Sequence, residues 1–322
     1  MTHQPIQVLH ADRKSNVLTP SMLECISHLP TINLTAGCAH ACLYCYARGY
    51  SQHPGEGKIT LYTNTLKKLR AELPRKRVRP LAVYFSPSSD VFQPVSEVLD
   101  MAYAVFEFLL NENIGVAFLT KGAIPESHMR LFEAHNSLVQ AGIGLNTLDA
   151  DIRHIFEPNS APAETRLEQI ARLSRTGIPV QARIDPILPG VTDEEGMLSE
   201  LISALHRAGT KTIAIGTAFM RSAIIGSLKR KVADQTMLKR LLSSYEGGPW
   251  LKLHRANTAA QLPSAEYRRM IYGQITNIAA MHGLPVRICA CKNGDIAAGT
   301  CAIAGNWGAR ASKLAQKTFL GK

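Results

Sequence analysis

Three cysteines near the start of the chain have a spacing that suits an iron–sulfur cluster. Cys38, Cys42 and Cys45, here called the first cysteine group, are separated by three residues and then by two. Three thiolates so close together can bind three irons of a [4Fe-4S] cluster, and the fourth iron is then open to a substrate's amino and carboxylate groups. Structural zinc needs four ligands, and His40 would have to fold back to become the fourth. The spacing therefore favours an open cluster over zinc.

A second set of cysteines lies towards the other end of the chain. Cys289, Cys291 and Cys301, the second cysteine group, are separated by one residue and then by nine. We predict that they bind an auxiliary iron–sulfur cluster, which either anchors a substrate through an open iron or accepts an electron from a product radical. The alternative is a zinc or cluster site that only pins the C-terminal segment. Cys25 stands apart, and we expect it to be a small buried hydrophobic side chain.

An α/β fold must position these cysteines, because strand-like and helix-like segments alternate about six times. The strand-like segments are continuous apolar runs at 31–36, 81–86, 114–120, 138–145, 178–187 and 211–218. The helix-like segments between them lie at 61–73, 98–112, 127–135, 166–177 and 193–209. Such runs are typical of parallel strands covered on both faces, in a partial or complete β/α barrel or in a doubly wound sheet. The first cysteine group follows the first strand, so it falls at the carboxyl end of the strands.

The pattern divides the chain into three regions. Residues 1–30 are predicted to be a loosely structured lead-in, and residues 31–235 form the core. Residues 236–322 form a C-terminal extension, which holds the second cysteine group. Two helical stretches are predicted here, one near 232–245 across the start of the extension and one near 264–281 within it.

Composition and charge limit the class of protein. The 322 residues carry a net charge of +11, with basic runs at 66–80, 227–242 and 266–273. This charge balance fits a nucleic-acid partner, although each run alone is typical of a solvated helix face.

No apolar run is long enough to span a membrane and no signal peptide is evident, so we predict a cytoplasmic protein. The seven cysteines are then expected to bind metal or do chemistry rather than to form disulfides. The sequence does not indicate the oligomeric state.

The first cysteine group, with the aromatic Tyr44 before its last member, resembles the Cys-x3-Cys-x-aromatic-Cys signature of the radical S-adenosylmethionine (radical SAM) superfamily. The longer segment GCAHACLYCYAR, at 37–48, resembles the branch that contains spore photoproduct lyase. The resemblance covers residues 31–220 and implies a partial (β/α)6 TIM-type barrel with a C-terminal helical, cysteine-rich extension. It implies that Cys38, Cys42 and Cys45 hold a [4Fe-4S] cluster supplied with electrons by a reductase or flavodoxin-type donor. Cleavage of S-adenosylmethionine would give methionine and a 5′-deoxyadenosyl radical that takes a hydrogen atom from the substrate.

The resemblance also assigns roles to single residues. Tyr44 would lie near the adenine, and Lys121 in FLTKG would meet the methionine carboxylate. The other positions that match cofactor contacts are Ser89, Asp90 and Asn146. Glu157 belongs to the same sequence pattern as Asn146. Arg183 and Asp185 alternate to one face of the fifth core strand. They either line the interior near cofactor or substrate, with Arg183 as a cofactor contact, or form a structural ion pair, and both readings stay open.

Two positions depart from spore photoproduct lyase. Gly144 stands where that family has a cofactor-binding serine, and Pro87 stands near the place of its hydrogen-donating cysteine. No cysteine lies between Cys45 and Cys289, so we expect a different reaction. Our leading hypothesis is a radical SAM enzyme that acts on an unidentified substrate, with nucleic acid a candidate. The alternatives are a radical SAM enzyme for a peptide or small molecule anchored at an auxiliary cluster, and a zinc-binding protein without catalysis.

Overall fold

The structure is a computed structural model that describes residues 6–252 and 259–308. Its strands are β1 (Gln7–Ala11), β2 (Thr19–Pro20), β3 (Pro30–Ile32), β4 (Thr35–Ala36), β5 (Lys58–Tyr62), β6 (Ala82–Phe85), β7 (Gly115–Thr120), β8 (Val139–Gly144), β9 (Val180–Ile187), β10 (Thr212–Thr217), β11 (Trp250–Lys252), β12 (Ala259–Gln261) and β13 (Val286–Ile288). Its helices are α1 (Thr65–Glu72), α2 (Ser96–Asn111), α3 (Glu126–Ala134), α4 (Ala150–Phe156), α5 (Ala163–Arg175), α6 (Glu195–Arg207), α7 (Ser222–Lys231), α8 (Gln235–Ser243), α9 (Ala265–Met281) and α10 (Ala290–Asn293).

The central sheet has eight strands in the order β13-β10-β9-β8-β7-β6-β3-β2. The six strands β3 and β6 to β10 pair in parallel and in chain order, and β13 adds a further parallel strand beside β10. A doubly wound sheet reverses its strand order at a switch point, and this run of six does not. The predicted six-stranded β/α arrangement is therefore confirmed. It is open, because β2 and β13 do not pair with each other within the described residues.

Helices cover the outer face of this sheet. Side chains alternate between the two faces of a strand, and Val83, Phe85 and Phe118 share one face with the helix residues Phe106 and Phe132 in a single core. The ring centroids of Phe85 and Phe106 lie 4.2 Å apart. The apolar runs of the sequence are thus accounted for by burial against helices on this side.

The C-terminal segment fills the inner face. Tyr84, Ala117 and Ala214 point to that face and pack with Trp307, which is 4% exposed. Gly115, at the start of β7, leaves room for the indole, since a Cβ atom there would overlap the Trp307 ring. The extension is therefore built into the core and is not a separate layer on its surface.

A small sheet in the order β1-β5-β4 carries the loop of the first cysteine group. The segment predicted as one strand at 31–36 is divided, because β3 joins the central sheet while β4 pairs with β5. Residues 58–62 alternate in burial, with Ile59 and Leu61 inside, so the strand β5 precedes the helix expected from residue 61. The lead-in also differs from the prediction, since β1 pairs with β5 along its whole length.

The extension contains the two predicted helical stretches as α8 and α9. The predicted boundary at 236 falls within α8, and no observation tests it as a domain boundary, so it stays a prediction. None of the helices in the described ranges is both long enough and apolar enough to cross a membrane.

Candidate active site

The loop of the first cysteine group is fixed at the carboxyl end of the central sheet. The backbone N–H of Ala39 donates to the Gln93 side chain over 2.8 Å, and the N–H of Leu43 donates to the Phe156 carbonyl over 2.9 Å. The amide of Asn159 donates to the Ala39 carbonyl over 2.7 Å. Residues at or after the ends of β6 and α4 therefore hold the backbone between the cysteines. The loop lies at the carboxyl end of the strands, as its place after the first strand predicted.

The three thiols of the first cysteine group are free and partly buried. Burial raises the pKa of each thiol, and the charge of Glu157 raises the pKa of Cys42 further. No other cysteine of the described chain joins them, because the remaining four lie together elsewhere. The group therefore offers three ligands to a metal centre, which binds them as thiolates and releases their protons.

Glu157 is the centre of a charged cluster beside the cysteine loop. It is 1% exposed, its carboxylate lies 2.6 Å from Arg166 and 3.0 Å from the Lys121 ammonium, and it accepts a hydrogen bond from the Tyr44 hydroxyl. Burial acts to raise the pKa of Glu157, but the charges of Arg166 and Lys121 hold it well below its ordinary value. The cluster of two cations and one carboxylate keeps one unbalanced positive charge.

Asp90 joins the ends of two core strands to the cysteine loop. Its carboxylate accepts from the N–H of Phe92, the N–H of Lys121 and the Thr120 hydroxyl, each over 2.8 Å. It also lies 3.1 Å from Nε2 of His40. These contacts occupy the lone pairs of the Asp90 carboxylate and hold the cysteine loop in position. The predicted contact of Asp90 with a cofactor stays a prediction, and His40 is held by Asp90 rather than folded towards the thiols.

Two serines near Asp90 have hydroxyl groups without a partner. The Oγ atoms of Ser86 and Ser89 are buried and unpaired in the structure. Asn146, the other predicted contact, is buried at the end of β8 and donates to the Pro186 carbonyl over 3.0 Å. A Cβ atom on Gly144 would lie 3.0 Å from Nζ of Lys121, so the missing side chain leaves space for that ammonium.

Arg183 and Asp185 form the ion pair that the sequence left open. Their side chains lie 2.7 Å apart, and the ammonium of Lys292 lies 2.9 Å from Asp185. Burial acts to raise the pKa of Asp185, but Lys292 and Arg183 hold it below its ordinary value. Nζ of Lys121 donates to the Asp185 backbone carbonyl over 3.3 Å, so this pair adjoins the Glu157 cluster. The role of Arg183 as a cofactor contact stays a prediction.

An aromatic group at the same rim escaped the sequence analysis. The ring of Tyr46 lies 5.8 Å from that of Tyr50 and 6.2 Å from that of Phe219. The Arg221 guanidinium lies 5.9 Å from the Tyr50 ring, and the Lys292 ammonium lies 5.4 Å from the Phe219 ring. The sequence contained a signal, because Tyr46 and Tyr50 both follow the last cysteine of the motif closely and Phe219 follows the sixth core strand.

Cys25 is buried, as predicted, but it does not stand apart from the other cysteines. Its Sγ lies within 4.8 Å of those of Cys289 and Cys301, so it belongs to the second cysteine group in space. The short 3-10 turn Glu24–Ile26 places it there, on the inner face of the sheet. The unpaired seventh cysteine was the sequence signal for this contact, but its partners lie more than 260 residues away.

A profile of the Radical SAM superfamily matches residues 32–216, which is more than half of the chain. The chain belongs to the radical SAM superfamily. An uncharacterized protein of Mycobacterium tuberculosis is 24% identical to this radical SAM protein over 265 residues, which are 79% of this chain and 74% of that protein. A Radical SAM Nalpha-GlyT isomerase of Pseudomonas phage M6 is 24% identical over 207 residues, which are 64% of this chain and 42% of that protein.

Solved structures share the fold. A mutant of spore photoproduct lyase with bound AdoMet and dinucleoside spore photoproduct has a TM-score of 0.67 at 15% identity, over 87% of this chain and 81% of that one. The same lyase complexed with dinucleoside spore photoproduct has a TM-score of 0.66. The predicted family and its lyase-like fold are therefore confirmed.

The superfamily implies a [4Fe-4S] cluster and S-adenosylmethionine, and the residues of this radical SAM protein fit both. The first cysteine group supplies three free thiols and no fourth ligand from the described chain. The unpaired hydroxyl groups of Ser86 and Ser89 and the unbalanced positive charge at Lys121 lie in the neighbouring loops. A set of free hydroxyl groups and a cation of this kind suits a zwitterionic amino-acid group.

Proposed function

We propose that this radical SAM protein is an enzyme that reductively cleaves S-adenosylmethionine and uses the 5′-deoxyadenosyl radical to take a hydrogen atom from a nucleoside-containing substrate. One observation carries the proposal. Three free thiols lie beside a buried charge cluster with one surplus positive charge, at the carboxyl end of a β/α sheet. In such sheets the ends of several strands meet at this edge and catalytic groups collect there.

A [4Fe-4S] cluster on Cys38, Cys42 and Cys45 would supply the one-electron reduction that cleaves the cofactor. The chain itself positions the cofactor. Lys121 would bind the methionine carboxylate, because it shares Glu157 with Arg166 and the cluster has one more cation than carboxylate. Ser89 would donate its free hydroxyl, and Asn146 lies at the adjoining strand end. We expect a reductase or a flavodoxin-type protein as the electron donor.

The aromatic rim supports a substrate that contains a nucleoside. Bases stack on aromatic side chains, and the rings of Tyr46, Tyr50 and Phe219 lie together near two cations. The spore photoproduct lyase structure with bound dinucleoside spore photoproduct supports this substrate class by analogy of fold alone. The lyase's own reaction is not proposed, because Pro87 stands near the place of its hydrogen-donating cysteine.

The alternatives from the sequence are less well supported. A peptide or small molecule anchored at an open auxiliary cluster requires a free metal position, and Cys25 supplies a fourth thiol to the second cysteine group. The auxiliary cluster itself stays a prediction. Membership of the superfamily and the shared fold support an enzyme rather than a zinc-binding protein without catalysis.

Formation of 5′-deoxyadenosine tests the reaction. The full chain is purified anaerobically, reconstituted with iron and sulfide, reduced with dithionite and given S-adenosylmethionine. We expect 5′-deoxyadenosine by liquid chromatography and mass spectrometry, at least 100-fold less with Cys42→Ala, and a raised KM for S-adenosylmethionine with Lys121→Met. The exposed Lys229→Met is the matched control and should behave as the wild type. Equal product from wild type and Cys42→Ala would refute the proposal.

Binding of nucleic acid tests the substrate class separately. We expect single-stranded DNA or RNA to bind with an affinity that falls steeply as salt rises, because phosphate contacts release counterions. Phe219→Ala should weaken binding by about 1–3 kcal/mol, the usual contribution of one stacked base. The exposed Leu81→Ala, at the opposite end of the strands, is the control. Cleavage of S-adenosylmethionine by a protein that does not bind nucleic acid would support the proposed enzyme but contradict the proposed nucleoside-containing substrate.

A further inference from the structure

Four cysteines from the two ends of the described chain meet on the inner face of the central sheet. The Sγ atoms of Cys25, Cys289 and Cys301 all lie within 4.8 Å of one another, and these three residues are buried. Sγ of Cys291 lies 2.7 Å from Sγ of Cys289. All four are free thiols. Nothing in the mechanism proposed above uses them.

We propose that Cys25, Cys289, Cys291 and Cys301 bind a single zinc ion in a closed tetrahedral site. Four thiolates in one place select zinc or an iron centre. A tetrahedral ion with bonds of about 2.3 Å to sulfur holds its thiolates about 3.8 Å apart. Sγ of Cys25, Cys289 and Cys301 already lie within 4.8 Å of one another. Sγ of Cys291 lies 2.7 Å from Sγ of Cys289, so these two atoms would move apart by about 1 Å on binding the ion.

The metal is therefore zinc rather than a second iron–sulfur cluster. A cubane holds its thiolates further apart than a single ion does, because the cluster lies between them, whereas Sγ of Cys25, Cys289 and Cys301 lie within 4.8 Å of one another. Between single ions, sites with nitrogen, oxygen or sulfur ligands bind Zn²⁺ more tightly than Fe²⁺. Four protein ligands also leave no open position, which is the pattern of structural zinc. Cys25 thus converts a three-ligand set, open to a substrate, into a closed one.

The surroundings offset part of the charge of such a site. Four thiolates around Zn²⁺ carry two negative charges, and buried charge must be paired. Two cations lie beside the site: Lys292 follows Cys291 in the chain, and Arg183 lies close enough to Cys301 to interact with its thiol electrostatically. With Asp185 these two cations form a cluster with one surplus positive charge. Metal sites commonly have polar or charged groups of this kind around the ligands, which orient the ligands and tune the metal.

The site has a defined structural consequence. The Cys301 carbonyl accepts from the Gln181 amide over 2.7 Å, and Trp307 packs on Gly115, so the segment after the cysteines closes the inner face. The ion would tie this segment to the turn that carries Cys25. It would also fix α10, and with it the Lys292 ammonium 2.9 Å from Asp185, beside the active site. This inference does not rest on the proposed reaction, since it requires no S-adenosylmethionine.

Metal analysis in a chain without the first cluster tests the proposal. The full chain with Cys38→Ala, Cys42→Ala and Cys45→Ala is expressed with iron and zinc in the medium and purified without oxygen. We expect a colourless protein with about one zinc per chain. Adding Cys25→Ser should lower the zinc retained after dialysis against a chelator at least tenfold. The neighbouring exposed Ser27→Ala is the matched control and should retain zinc.

Three results would overturn the proposal. A brown triple variant with about four irons per chain would show an auxiliary cluster instead. Zinc retained equally with Cys25→Ser would exclude Cys25 as a ligand, and an absence of both metals would exclude the site. If Cys25→Ser fails to fold by circular dichroism, cobalt replaces zinc in the triple variant. Intense visible bands of tetrahedral cobalt with thiolate charge transfer are then expected, and weak octahedral bands would contradict the site.

Discussion

The ammonium of Lys292 lies 2.9 Å from Oδ1 and 3.0 Å from Oδ2 of Asp185. This contact joins the C-terminal extension to the fifth core strand, on the face that also bears Arg183. The backbone carbonyl of Asp185 in turn accepts from Lys121, the predicted ligand of the methionine carboxylate. The candidate active site and the four-cysteine site are therefore connected by a short chain of polar contacts through Asp185.

Removing the Lys292 ammonium should destabilise the protein moderately. Arg183 still pairs with Asp185 in Lys292→Met, so we expect a loss of about 1.5–3 kcal/mol, the contribution of hydrogen bonds to a charged group. Urea unfolding measures it. In a double-mutant cycle, Asp185→Asn should remove most of the effect of Lys292→Met. Additive losses would show that the two side chains do not interact.

Neutralising Glu157 should cost more, because it leaves Arg166 and Lys121 without their buried carboxylate. For Glu157→Gln we expect a loss of about 3–5 kcal/mol in the free energy of unfolding, as for other broken buried ion pairs. Chemical denaturation gives the value. Glu168→Gln on the exposed face of α5 is the control, and its change should stay within about 0.5 kcal/mol. A stability loss of the same small size for Glu157→Gln would contradict the buried cluster.

Two glycine substitutions should have opposite effects. In Gly115→Ala the new Cβ overlaps the Trp307 ring, so we expect a loss of about 1–3 kcal/mol from overpacking. Gly273→Ala lies on the exposed face of α9 with nothing within 4 Å, and it should stabilise the protein by about 0.5–1 kcal/mol. Thermal unfolding gives both values. Trp307 fluorescence should shift to the red only in Gly115→Ala, and an unshifted spectrum would place the indole elsewhere.

His128 should make the protein sensitive to mild acid. It is buried among Phe92, Tyr103 and Phe106, and burial lowers the pKa of its imidazole below the ordinary value. The folded state therefore favours neutral imidazole. Its contribution to stability is complete above about pH 6.5 and is lost as pH falls through the lowered pKa.

Comparison of two variants checks this pH dependence. Between pH 7 and pH 5, His128→Gln should lose less free energy of unfolding than the wild type does. The exposed His28→Gln should lose as much as the wild type. Equal losses for all three proteins would mean that His128 is protonated as easily in the folded state as in the unfolded one.

The sequence by itself determined the local and repeating features of this protein. The Cys-x3-Cys-x2-Cys spacing lies within eight residues, so it identified the first cysteine group without knowledge of the fold. The alternation of apolar strands and helices predicted parallel strands, because buried strands must be apolar whatever their order. Lys121 and Asn146 were predicted from the resemblance of the short segments around them to the radical SAM pattern, which is also a local feature of the sequence.

Only the tertiary structure decided which distant residues meet. The order of strand pairing chose the barrel-type sheet over a doubly wound one, and it divided the first predicted strand between two sheets. Arg183 and Asp185 form an ion pair, and Lys292 joins it because the C-terminal segment packs beside the fifth core strand. Cys25 joined Cys289, Cys291 and Cys301 because the first turn and the last segment pack on the same inner face. Contacts between residues so far apart depend on the packing of the whole sheet, and no local pattern encodes them.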